Sequence, residues 1–245
     1  MIARLKAKTF GGWPQEGIPL ETKPAFSVTR GGVKLSAWDF TSQQDVRLRI
    51  YLLEKPAGRA KAAALTILDQ PSWTNWLGAM SETFASELQE ELAVTMAGLA
   101  RADDVEKLKQ QLRSGTKALA FFAPRGLGLT TWSGDPKRQT GIRRRFMVLG
   151  QTLEGMRVWD IRRAVQCLQA MRPRAGTKVE LRARGDAAVN CLYAALFEPG
   201  VRQLELTGLP ASQLEGPDYL NVSQVVDLAH VRAQVATQAE VITLP

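Results

Sequence analysis

Residues 178–197 read KVELRARGDAAVNCLYAALF. The first six are apolar in part and read as a strand. Arg184-Gly185-Asp186 interrupts them, and residues 187–197 then place apolar side chains at helical spacing. A strand, a glycine turn and a helix in close succession are the unit from which parallel sheets are built. Working outward, four more runs have the same buried character: residues 62–68, 117–123, 201–206 and 239–244. Strands covered on both faces look this way. Helical patterns fill the gaps at residues 76–99, 105–112, 156–171 and 222–235. In the third of these, Val158, Ile161, Val165 and Leu168 repeat every three or four residues, the mark of one buried face. Such alternation predicts βαβ units with right-handed crossovers.

Before Gly58 the pattern changes. A turn at Gly31-Gly32 opens two alternating segments, residues 34–40 and 45–53, joined by a short polar link, which predicts an antiparallel hairpin. Seven strands are expected in all. Residues 1–30, with Gly11-Gly12-Trp13-Pro14, read as an arm or linker packed on a neighbour, and residues 31–245 as one domain. No internal repeat or low-complexity tract is evident.

The chain has 245 residues, 45% hydrophobic and 23% charged, enough for one large core. No run of about 18 uncharged apolar residues occurs, so no membrane span or membrane partner is expected. Met1 to Lys8 is basic without an apolar run behind it and is not a secretory signal. The compartment stays open between the cytoplasm and a piece of a longer exported chain. Cys167 and Cys191 fall in helical patterns outside any C-x-x-C spacing and read as buried thiols. Net charge is +8, with a local run at Arg143-Arg144-Arg145. That balance favours acidic partners. No nucleic-acid motif accompanies it, so nucleic acid is disfavoured. One His and two scattered Cys cannot assemble a usual zinc site, no Asp-rich calcium loop is present, and Gly126-Leu-Gly128 is too short for a phosphate loop. No cofactor and no metal are expected.

Four strings point to a family. Residues 123–128 (APRGLG) follow a buried strand, residues 150–160 read GQTLEGMRVWD, residues 178–196 form the strand, turn and Ala-rich helix, and residues 216–222 read GPDYLNV. Together they resemble α/β-hydrolases of the acetyl-xylan-esterase-like and prolyl-oligopeptidase-like group, as found in multidomain proteins of environmental bacteria. The resemblance covers residues 30–245. It implies an α/β three-layer sandwich with a mostly parallel sheet, an N-terminal antiparallel hairpin and no last strand.

The resemblance also implies a nucleophile on a sharp strand-to-helix turn, written G-x-S-x-G. Here the turn reads Ala183-Arg184-Gly185-Asp186-Ala187-Ala188. Gly185 takes the central place and has no atom to attack a carbonyl. Asp186 beside it is read as capping the helix N-terminus, with a carboxylate nucleophile as the alternative. In this fold the acid follows the seventh strand and the His the eighth, and both places would lie past Pro245. The one histidine, His230, sits in a predicted helix before the last strand. Ser133, in a polar loop after the Arg-Gly-Leu-Gly string, is read as a loop hydroxyl. The domain is therefore expected to be a degenerate, non-catalytic member serving a binding or structural role in a larger protein. Its cleft is expected to be lined by Arg125, Trp132, Ser133, Arg184, Asp186 and Ser212, suited to a sugar or an acidic polymer. Two alternatives stand beside it: an active esterase or peptidase with triad members supplied from outside the chain, and a basic module binding an acidic polymer. An exposed sheet edge invites another domain or subunit.

Overall fold

The computed structural model describes residues 1–56, 62–95, 108–112, 114–171 and 178–245. Its strands are β1 (Lys23–Arg30), β2 (Val33–Gln43), β3 (Val46–Glu54), β4 (Ala62–Ile67), β5 (Lys117–Phe122), β6 (Lys178–Arg184), β7 (Val201–Thr207) and β8 (Glu240–Leu244). They form one sheet in the order β1-β2-β3-β5-β4-β6-β7-β8. The first three run antiparallel, and β3 also meets β5 antiparallel. From β5 through β4, β6 and β7 to β8 every pairing is parallel. The hairpin turn between β1 and β2 is Gly31-Gly32, both at positive φ (+56° and +75°), the backbone a two-residue loop needs to match strand twist.

The helices are α1 (Ile2–Lys8), α2 (Gln70–Phe84), α3 (Gln89–Val94), α4 (Pro136–Val148), α5 (Leu153–Ala170), α6 (Asp186–Phe197) and α7 (Leu228–Ala236); residues 108–112 are also helical. Side chains set several of their starts. Asp69 accepts the Ser72 N–H ahead of α2 at 2.8 Å, Thr152 accepts the Gly155 N–H ahead of α5 at 2.9 Å, and Asp227 accepts the His230 N–H ahead of α7 at 2.8 Å.

Two apolar layers sandwich the sheet. One gathers Leu65, Ile67, Leu181, Ala183 and Leu204 from the strands under Val158, Ile161, Val165, Val189 and Leu192 of α5 and α6. Leu5 and Phe10 belong to this layer too, so the segment expected as an arm or linker packs into the chain's own core, and its last eight residues pair as β1. The other layer buries Leu35, Tyr51, Leu53, Leu119 and Phe121 under Trp73, Trp76, Leu77 and Met80 of α2. No described residue of β6, β7 or β8 belongs to that second layer. On that side those strands carry Glu180, Arg182, Gln203 and Glu205 instead.

The structure corrects the sequence reading in particular places. Eight strands replace seven, and the hairpin is a three-strand meander. Strands β6 and β7, read as covered on both faces, are apolar on one face and charged on the other. The helix expected over 76–99 is α2 starting at Gln70, a break, and α3; residues 96–99 lie outside the described residues, as do 105–107 of the next pattern. The pattern at 222–235 is a 3-10 turn, Val222–Gln224, followed by α7. Helices α1 and α4 were not anticipated.

Candidate functional site

In chain order β4 is followed by β5 on one side of it and then by β6 on the other. Loops leaving these strand ends diverge, and a crevice opens at such a switch point. The bend after β6 lies there. Gly185 has φ +54° and ψ −131°, a conformation that L side chains rarely adopt. It is held rather than loose: its N–H donates to the Thr207 carbonyl at 2.9 Å, and its carbonyl accepts the Ala188 N–H at 3.0 Å. A Cβ at Gly185 would meet nothing within 4 Å. The place where a nucleophile would project is therefore open space. Gly185 itself is the N-cap of α6. Asp186, expected to cap that helix, is its first residue. Its charge lies in the first turn, where the helix dipole favours an anion.

Beside this bend is a cavity of about 710 Å³ lined by Asp186, Glu154, Arg157, Trp132, Ser133 and Arg143, among others. Glu154 and Arg157 of its wall are held by a chain of paired groups that runs back to Asn190 and Tyr219, buried behind the lining. Arg157 Nη1 donates to Glu154 Oε1 at 2.7 Å, and Asn190 Nδ2 donates to Glu154 Oε2 at 2.7 Å. Tyr219 OH donates to Asn190 Oδ1. Burial, reinforced by the Glu154 charge, pushes the Tyr219 phenol well above its usual range and keeps it neutral. On the other side stands α4. It is tied down by an Arg143–Asp218 ion pair and by the Phe146 ring, 6.1 Å from Trp132.

Both Glu154 oxygens already accept hydrogen bonds, so the carboxylate is not a free base. Ser133 Oγ accepts the Asp135 N–H at 3.1 Å and has no imidazole beside it. His230 is an exposed residue of α7, its ring 2.9 Å from Asp227 Oδ2, and is absent from the cavity lining. Cys191 is fully buried, and burial alone raises its thiol far above the usual value. Among the described residues no group of three His, Cys, Asp or Glu side chains could hold a metal ion.

Of the residues singled out from sequence, Trp132, Ser133 and Asp186 line the cavity, and Arg125, Arg184 and Ser212 do not. Arg125 is buried. Its Nε and Nη2 donate to the two Asp160 carboxylate oxygens at 2.8 and 2.6 Å, and Ser42 Oγ donates to the same carboxylate at 2.6 Å. This clamp joins the loop after β5 to α5 and to the end of β2. Arg184 points outward, 3.9 Å from Asp69. Ser212 is half-buried at the start of a 3-10 turn, Gln213–Glu215. Sequence reasoning missed Glu154, Arg157, Asn190 and Tyr219. Glu154 and Arg157 stand in the quoted 150–160 string at the i,i+3 spacing of a helical ion pair, a signal that was available.

Sheet order, the glycine bend and the cleft beside it define the α/β-hydrolase fold. No protein-family model matches the sequence, and no curated protein sequence matches it. Solved structures do. A Bacteroides fragilis protein described as an acetyl xylan esterase superposes with a TM-score of 0.67 at 11% identity, over 94% of this chain and 63% of that one. A glucuronoyl esterase from Solibacter usitatus gives 0.55 at 11% identity, over 84% of this chain and 56% of that one. Acetyl xylan esterase 1 from Thermoanaerobacterium gives 0.50 at 11% identity, over 84% and 55%. The chain thus spans less than two thirds of each, and at these identities the likeness is one of fold.

Proposed function

We propose that this chain is a non-catalytic hydrolase-fold domain whose cleft binds carbohydrate. One observation carries the reading: Gly185 occupies the strained bend that would present a nucleophile, with open space where its side chain would stand. Without that atom, and with no imidazole in the cleft, the covalent route of a serine hydrolase has neither attacking group nor base. What is left is a cavity with an aromatic face at Trp132, amides at Gln70 and Gln139, and hydroxyls at Thr131 and Ser133. Such surfaces suit the apolar face and hydroxyl rim of a sugar ring. Esterases named for acetyl xylan and glucuronoyl substrates share the fold, which makes xylo-oligosaccharides the first ligands to try.

The experiment has two arms. The purified chain is treated with a fluorophosphonate probe and assayed on p-nitrophenyl acetate. It is then titrated with neutral and acetylated xylo-oligosaccharides by calorimetry. No label, no turnover, and binding weakened about tenfold by Trp132→Ala are expected, the loss of one stacked ring. Covalent labelling at any serine of this chain overturns the reading and favours an active esterase. Absence of binding to every sugar tried overturns the ligand assignment alone.

A further inference from the structure

The side of α4 turned away from the cleft is a different surface. Pro136–Val148 contains five cations, Lys137, Arg138, Arg143, Arg144 and Arg145, and no carboxylate. Arg143 turns to Asp218 across the cleft. Among the described residues no carboxylate pairs with Lys137, Arg138, Arg144 or Arg145, although most arginines elsewhere in the fold are paired. At about 3.6 residues per turn these four fall on one side of the helix together with Val148.

Apolar exposure concentrates at the same place. Val148 is 86% exposed and Leu149 71%, and neither lines the cleft, whereas the exposed Met147 and Trp132 do. This is not a frayed end. The Gln151 N–H donates to the Phe146 carbonyl and the Gly150 N–H to the Met147 carbonyl, each at 3.0 Å, with Gly150 at φ +70°. That is the paired closure of a glycine-terminated helix, and it fixes the tip in place. Water-facing aliphatic side chains held rigidly at the end of a basic helix need a partner that uses both features. A purely anionic polymer would use only the cations, and an apolar protein groove only the tip.

We infer that α4 docks this domain on an anionic lipid bilayer. Val148 and Leu149 would enter the headgroup–acyl boundary, and Lys137, Arg138, Arg144 and Arg145 would meet lipid phosphates and carboxylates. No helix among the described residues is long and apolar enough to cross a membrane, and surface docking requires none. This proposal is independent of whether the cleft is catalytic.

The test is cosedimentation of the whole chain with vesicles of phosphatidylcholine containing 30% phosphatidylserine, against pure phosphatidylcholine. Binding to the anionic vesicles only is expected, falling as salt rises. Arg144→Glu with Arg145→Glu should weaken it at least tenfold. Val148→Asp with Leu149→Asp should do the same while leaving the circular dichroism spectrum unchanged. The proposal is overturned if anionic vesicles are not bound, or if the apolar pair can be replaced without loss. It is also overturned if heparin or DNA binds as tightly as vesicles and is indifferent to Val148 and Leu149, since the surface would then be a general polyanion site.

Discussion

At the scale of single residues, what the sequence revealed was chemistry that depends on one position. Gly185 could be read from its neighbours because a strand, a turn and a helix lie next to each other in the chain, and the structure places it at that bend. Arg125 could not be read this way. Its partner Asp160 lies 35 positions away, and nothing local distinguishes a buried clamp from a cleft arginine. The strained bend makes a prediction. Gly185→Ala adds a Cβ that meets no neighbour, so only the backbone conformation opposes it; a loss of about 1–3 kcal/mol is expected in urea unfolding. Gly185→Ser should pay the same cost and still show no esterase turnover, because no base stands beside it. The two thiols give a second check. Both are buried, and burial pushes Cys167 up to about 12, so neither forms thiolate near neutral pH. Iodoacetamide at pH 8 should modify neither in the native protein and both in denaturant; labelling of native Cys167 would show that the α5 packing is looser than described.

Among elements, periodicity revealed what is buried and missed what is not. Helix α5 announced itself because one stripe faces the sheet. Helix α4 has no buried residue, so its sequence has no apolar stripe to detect. Strand β1 is mostly exposed and carries Pro24 beside a register shift, features of a protected edge that weaken any strand signal. Strand β6 misled in the other direction, because its neighbour β4 is covered on both faces and β6 is not. The Arg125–Asp160 clamp is what locks α5 to the loop after β5. Asp160→Ala would leave a buried guanidinium without its counter-charge, and a loss of about 3–5 kcal/mol is expected. Ser42→Ala removes one hydrogen bond from the same carboxylate and should cost about 1 kcal/mol. Denaturant midpoints for the two variants, compared at unchanged slope, check this ordering.

For the whole molecule, the β6–β7–β8 end of the sheet is stabilised differently on its two sides. One side is apolar and covered by α5 and α6. On the other, Lys117 from β5 bonds Glu180 on β6, Arg182 bonds the same carboxylate, and Arg182 Nε lies 3.5 Å from Glu205 on β7. Charge pairing there replaces a second apolar layer, so this part of the fold should be the more sensitive to acid. Burial pushes the Glu180 carboxyl up, but hydrogen bonds and charge from Lys117 and Arg182 outweigh it and hold the group below its ordinary value of 4.5. The unfolded chain therefore takes up the Glu180 proton before the folded one does. The stabilisation is complete above the unfolded value and is lost as pH falls through the folded one. Glu180→Gln should lower stability at pH 7 by about 1–2 kcal/mol, a figure reduced by the partial exposure of Lys117. It should also shrink the gap from the unaltered protein as the pH is brought well below 4.5. Urea midpoints of the two proteins at pH 7, 5, 4 and 3 (about those values) decide the matter. Parallel curves would mean that Glu180 has the same proton affinity folded and unfolded, and that the ladder contributes geometry alone.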